Sequence, residues 1–214
     1  MLQRVIYWHE CNTYKKTNKM KKLSTYKKQK ISQNLEYFFN KVSEEDYNDG
    51  LVWYQTANDI VQNLSKKYNF QPLVVANVLS ALSPRNKWER NIYDTEQVLK
   101  AVNEGKDYDS IKVCTFHNNK IKAFELAQGK REGIKYSNSP KTHSFVRNIA
   151  ELNENFVTVD VWHTRASFDK MIVPTSLSAS NYDDIRDITI KNAKKHNIKP
   201  FEYQAIVWCS IRNN

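Results

Sequence analysis

Leu73-Val74-Val75-Ala76-Asn77-Val78-Leu79-Ser80-Ala81-Leu82 decides the fold class. The run is apolar on nearly every side and must be buried, a signature that a core strand and a core helix share. Its length and its neighbours favour a central helix. Upstream, Ala57, Ile60, Val61 and Leu64 fall on one face of a helix over about 52–68, and Gln71-Pro72 restarts the chain. Downstream, Ser83-Pro84 reads as an N-cap with proline at the first helical position. Trp88, Ile92, Leu99 and Val102 carry the stripe to a stop near Gly105. Further helices are expected over about 119–128, ending at Gly129, and from Ser139-Pro140 to Glu151. Others follow from Asp160 to Lys170, near 183–196, and from Phe201, with a loop over 174–179. Residues 157–159 alone are strongly strand-like, and three residues cannot make a sheet. The expected fold is mainly α.

Composition narrows the class. The 214 residues carry 33 Lys and Arg against 23 Asp and Glu, a net charge of +10, which predicts a polyanionic partner. Nucleic acid and an acidic membrane surface are the two candidates. No apolar run approaches the ~20 residues of a membrane span, and residues 1–10 lack a signal-peptide core. A cytoplasmic protein with no membrane partner is therefore expected, most simply a monomer. Cys11, Cys114 and Cys209 are odd in number and scattered, and His9, His143 and His196 lack ligand spacing, so neither metal nor cofactor is expected. Residues 1–47 read as a basic extension and 48–214 as a helical domain with two lobes and a cleft. Eight lysines and no acid fill 15–30, with Tyr14 and Tyr26 interleaved. That stretch is either a solvated segment or an electrostatic arm for phosphates. A helical turn over 35–39 is expected to end at the Asn48-Asp49-Gly50 turn signal.

The chemistry-bearing stretch is Val157-Thr158-Val159-Asp160-Val161-Trp162-His163-Thr164-Arg165-Ala166. It sets a carboxylate at the end of a β-branched run, just before a helix. Lys141 lies 19 positions earlier (160 − 141), at a helix start. One helix and a return loop of that length can bring amine and acid into one cleft. A plain N-cap role for Asp160 competes with this reading.

Four blocks, in order, resemble the helix-hairpin-helix DNA glycosylases, the endonuclease III-like superfamily. Val78-Leu79-Ser80-Ala81-Leu82-Ser83, followed by Asn91, resembles a buried helix ending in leucine-serine. His117-Asn118-Asn119-Lys120 with Phe124 resembles a tyrosine-asparagine-x-lysine helix start. Lys141-Thr142 resembles the lysine-threonine of the hairpin's second helix. Val159-Asp160-Val161-Trp162-His163-Thr164-Arg165 resembles the segment carrying the catalytic aspartate. The resemblance covers about 70–168 and implies a two-lobed helical fold that binds DNA. The departures are a hairpin without glycine at Tyr136-Ser137-Asn138-Ser139-Pro140, absent iron–sulfur cysteines, Trp162 in place of histidine and His163 shifted by one. The Ala-Leu-Ser-Pro…Trp…Asn pattern over 81–91 is also similar to phage-encoded proteins, which would place the chain in a host cytoplasm.

What the resemblance implies is excision of a base by attack at C1′. Asp160 supplies negative charge to a cationic sugar, and Lys141 is either the nucleophile of a lyase or a phosphate contact. A nucleophilic amine needs its pKa lowered from about 10.4, and a helix N-terminus acts in that direction. Ser139, Thr142, Asn119, Lys120 and Arg165 become DNA contacts, as do Arg85, Lys87 and Arg90. Asn91 and Asn86 read a base edge, wedge into the duplex or simply cap, and Ser83 and Trp162 line the base pocket. Trp88 and His163 fit the core better than the site, and Gln204 and Trp208 are assigned only to packing. Two rivals share the scaffold: a phage base-hypermodification enzyme of the thymine pyrophosphorylase type, and a DNA-binding protein without catalysis.

Overall fold

The computed structural model describes residues 23–170, 173 and 177–213. Residues 15–22 of the basic run, with Tyr14 and Cys11, and residues 174–176 of the expected loop lie outside the described residues. The described chain is helix after helix, with no strand among the described residues: α1 (Thr25–Asn40), α2 (Glu44–Tyr68), α3 (Pro72–Leu82), α4 (Trp88–Asn103), a 3-10 turn (Tyr108–Ser110), α5 (His117–Ala127), α6 (Pro140–Glu151), α7 (Val161–Phe168), α8 (Ala179–Lys195) and α9 (Pro200–Asn213). The mainly α expectation holds. No helix among the described residues is long and apolar enough to cross a membrane.

Local chemistry sets several of these ends. Ser43 accepts from the Asp46 N–H, and Glu44, Glu45 and Asp46 face the positive end of α2. Asn69, in the left-handed region at φ 57°, ends it. Pro72 and Pro140 each stand in the first turn of their helices, where the missing N–H costs nothing.

Two expected boundaries moved. Ser83-Pro84 does not open a helix. Ser83 closes α3, its hydroxyl donating to the Ser80 carbonyl at 2.9 Å, and Arg85 takes φ 60°, which breaks any helix running on from Pro84. Trp88 begins α4 instead. Asn48-Asp49-Gly50 is not a turn but lies inside α2. Gly50 is used there for close approach: a Cβ would sit 2.6–2.7 Å from Ile206 atoms of α9, backbone N and Cα among them.

The buried apolar residues form two clusters. Helices α2 to α6 build the first around Val61, Val75, Leu79, Leu82, Leu99 and Ile149. The second joins Ile31, Leu35 and Phe39 of α1 to Val157, Val159, Ala166, Tyr182 and Ile185. Helix α9 serves both, giving Phe201 and Ala205 to the first and Tyr203, Ile206 and Val207 to the second. The expected 47/48 boundary is therefore misplaced. Helix α1 belongs to the body, because its apolar stripe has no other place to be buried.

The Gly50–Ile206 approach fixes how the two clusters meet. Gly50→Ala, although a better helix former, is expected to destabilise the protein by about 1–3 kcal/mol through overpacking. Urea unfolding checks this, and Ile206→Ala should not rescue the variant, because part of the clash is with backbone.

Candidate functional site

Residues 157–159 are buried with no strand among the described residues; the Val159 and Asp160 N–H groups bond back to the Val157 and Thr158 carbonyls, both at 3.0 Å, and side chains supply the other partners. Asn148 of α6, fully buried, donates its Nδ2 hydrogens to the Asn153 and Phe156 carbonyls at 3.1 and 2.8 Å. Its Oδ1 accepts from the Thr158 hydroxyl at 3.0 Å. From α8, the Tyr182 hydroxyl donates to the Val157 carbonyl at 2.8 Å and accepts the Val159 N–H at 3.2 Å. Burial pushes the ionisation of that phenol well up, so it stays a neutral donor and acceptor.

The run delivers Asp160 to the N-cap of α7, where its Oδ1 accepts the His163 N–H at 2.8 Å. Asp160 is half-buried as a residue and lines a cleft of about 1150 Å³. Burial raises its pKa above the usual carboxylate value. The His163 N–H, the positive charge of Lys141, the Trp162 N–H and the Trp208 side chain oppose that rise. Lys141, second residue of α6, lines the same cleft and forms no ion pair among the described residues. Amine and acid therefore share one cleft.

Aromatic rings make up much of the wall. Trp53, Trp88, Trp162 and Trp208 all line it, with Trp53 at 5.1 Å from Trp88 and 6.4 Å from Trp208, centroid to centroid. The Arg212 guanidinium lies 4.4 Å from the Trp208 ring and that of Arg165 lies 4.5 Å from Trp162. Deeper in, the Tyr54 hydroxyl donates to Gln204 Oε1 at 2.7 Å.

Of the residues expected at a site, Asp160, Lys141, Ser139, Thr142, Arg85, Lys87, Ser83, Asn86, Asn91 and Trp162 line this cleft. Several are already engaged. Asn91 is 1% exposed and donates to the Leu79 carbonyl at 3.1 Å, which makes it a tie between α4 and α3. Asn86 donates to the buried Asp94 carboxylate at 3.0 Å, and Ser83 is held by Ser80. The Nδ2 groups of both asparagines are thus engaged within the fold, while their Oδ1 atoms are buried with no hydrogen-bond partner among the described residues, so neither side chain extends to wedge into a duplex.

Four other expected contacts are not among the lining residues. Arg90 is paired with Asp94 at 2.7 Å, and Asn119 donates to Thr115 at 3.1 Å. Lys120 donates to the Ile111 carbonyl at 3.3 Å, and Arg165 stacks on Trp162. His163 is a core residue as expected: fully buried, Nε2 2.8 Å from Thr189 Oγ1, its pKa pushed down by burial to about 3. Among the described residues no group of three His, Cys, Asp or Glu is placed to hold a metal.

Sequence reasoning missed Trp53, Tyr54, Gln204, Trp208 and Arg212. On one helix Trp208 and Arg212 look like an ordinary i, i+4 pair. Only the crossing of α9 over α2 turns them toward Asp160.

Asn148→Ala tests what holds the site. The part-buried Asn153 and Phe156 carbonyls lose the amide donor and the buried Thr158 hydroxyl loses its acceptor, so a loss of about 1–3 kcal/mol is expected in urea unfolding. Asn148→Asp, which can still accept from Thr158 but cannot donate, should be hardly better.

Comparison with curated proteins and with solved structures returns no match. A family of unknown function, DUF7178, matches residues 17–214, which takes in every helix among the described residues and the whole cleft. The chain belongs to that family.

Proposed function

We propose that the cleft receives a nucleotide of DNA turned out of its base stack and breaks its glycosidic bond. The chain is read as a divergent, two-lobed helix-hairpin-helix glycosylase. The observation that carries this reading is the convergence of Lys141 and Asp160 on one aromatic-walled cleft. Four tryptophans offer flat faces to an extruded base. Arg85, Lys87, Lys141 and Arg212 set positive charge on the lining, suited to flanking phosphates. The two core clusters, with the cleft lined from both, agree with a two-lobed architecture.

As the C1′–N bond breaks, its electron pair leaves with the base and positive charge grows on the sugar. The Asp160 carboxylate, held by the His163 N–H, is a fixed negative charge for that moment. Lys141 Nζ, from the first turn of α6, bonds to C1′ as the base leaves, and the proton it sheds passes to the departing base. The C1′–O4′ bond then breaks, O4′ taking a proton from water, to leave a protonated Schiff base; water takes a C2′ proton as the 3′ phosphate departs. In the reading without a covalent step, Asp160 instead takes a proton from attacking water. The duplex gap left behind suits Phe116, 53% exposed, with the Arg85 guanidinium 5.3 Å from its ring. This pair replaces Asn86 and Asn91 in the wedge role.

The test uses duplexes carrying single damaged or modified bases, with borohydride trapping of any protein–DNA adduct. Asp160→Asn should bind DNA as well as the parent or slightly better, while base release falls by about 10³-fold or more. Lys141→Gln should abolish trapping and strand cleavage. Base release untouched by Asp160→Asn contradicts the assignment. DNA binding with no base release from any duplex favours the reading without catalysis, and pyrophosphate release from hypermodified phage DNA favours the transferase.

Stability gives a second readout. Burial raises the Asp160 pKa, so ionising this group costs more in the folded state than in the unfolded chain. That cost is present above the folded pKa and vanishes as pH falls and the carboxyl protonates. Asn keeps the cap and carries no charge. Asp160→Asn should therefore be more stable than the parent at pH 7, with the gain shrinking toward acid pH. Equal melting temperatures across that range contradict this.

A further inference from the structure

Helix α1 has an outward face that the cleft chemistry does not use. Tyr26, Lys30, Gln33, Tyr37 and Lys41 recur at i, i+4, i+7, i+11 and i+15, and all five are exposed. Lys27 is exposed beside them. Tyr26 is 75% and Tyr37 54% exposed, large rings for an open helix face. Lys41 donates to the Tyr37 hydroxyl at 3.1 Å and stands 5.4 Å from its ring centre, a ready cation–aromatic pair.

The charges of α1 are sorted between its two sides. Its one acid, Glu36, is drawn inward to His196 at 2.8 Å and Lys195 at 3.6 Å. Lys28 is also held, by Asp184 at 2.6 Å. Lys27, Lys30 and Lys41 form no ion pair among the described residues. The outer face is thus positive and aromatic over a helix of about 24 Å.

We propose that this face is a second nucleic-acid surface, one that takes a single-stranded segment. Three unpaired cations suit phosphates, and two exposed tyrosines suit unpaired bases, whose π-faces a duplex conceals. A membrane is the poorer partner. An interfacial helix inserts an apolar face, and that of α1 (Ile31, Leu35 and Phe39) is already buried in the second core cluster. The surface is also separate from the cleft. Asn34 of α1 donates to the Ser167 carbonyl at 3.0 Å, at the far end of α7 from Asp160 and about 10 Å along that helix. A strand held here supplements whatever the cleft holds, and raises its effective concentration.

Fluorescence anisotropy of the full chain with labelled oligo-dT, from 50 to 300 mM salt, tests this without reference to base release. An inactive cleft leaves it standing. Lys27→Gln/Lys30→Gln/Lys41→Gln should weaken binding and flatten the salt slope by about 2, at roughly 0.7 for each phosphate no longer neutralised. The matching Lys→Arg triple should keep the slope. Tyr26→Ala/Tyr37→Ala should weaken oligo-dT about tenfold or more with the slope unchanged, and leave an equally long duplex unaffected. An unchanged slope in the glutamine triple overturns the proposal. So does a tyrosine pair whose loss affects single strand and duplex alike. Lysine-dependent binding to phosphatidylserine vesicles, with no change for oligo-dT, assigns the face to a membrane and also overturns it.

Discussion

A buried run without a partner strand can satisfy only part of its backbone by itself, as the Val159 and Asp160 N–H groups do against the Val157 and Thr158 carbonyls. In this protein the Asn148 side chain and the Tyr182 hydroxyl supply the remaining ties. Through them α6 and α8 grip residues 153–159 from two sides. The grip sets where α7 starts, and Asp160 caps that start. Because Lys141 stands at the other end of α6, the helix that carries Asn148 also carries the amine. One buried amide thereby links the positions of both charged groups of the cleft.

The cleft combines two demands that oppose each other. A carboxylate useful to a cationic sugar must be ionised and poorly hydrated, and such a group lowers the stability of the fold that holds it. The His163 N–H, the Lys141 charge and the Trp208 side chain limit that cost. His163 itself stays neutral in the core, so the N-cap rests on its backbone rather than its ring. Aromatic walls exclude water without offering competing hydrogen bonds. The remaining positive charge lies on exposed residues such as Arg85 and Lys87, where water still reaches it.

How much of this was legible in the sequence differs by element. The apolar run over 73–82 and the stripes on either side led to a helical fold, because periodicity reports burial directly. Ser139-Pro140 marked the start of α6 correctly, while the same signature at Ser83-Pro84 failed. There the left-handed Arg85 and the Asp94 carboxylate, which binds Asn86, Arg90 and the Cys114 N–H, hold a loop instead. Gly50 looked like turn chemistry, since its use against Ile206 exists only after two helices about 150 residues apart have packed. The pairing of Lys141 with Asp160 could be posed from spacing. Trp208, Gln204 and Tyr54 could not, because their helices read as complete without a cleft. Among expected DNA contacts, those held within the fold, such as Asn91 and Lys120, carried no sequence mark of it.

Engagement of DNA in the aromatic, acid-and-amine cleft is read most directly by nuclear magnetic resonance of the indole N–H signals during titration with a short duplex bearing one abasic-site analogue. The signals of Trp53, Trp88, Trp162 and Trp208 should shift together, saturate with the binding curve, and lose that response in Lys141→Glu. DNA binding that leaves these four signals in place would contradict it.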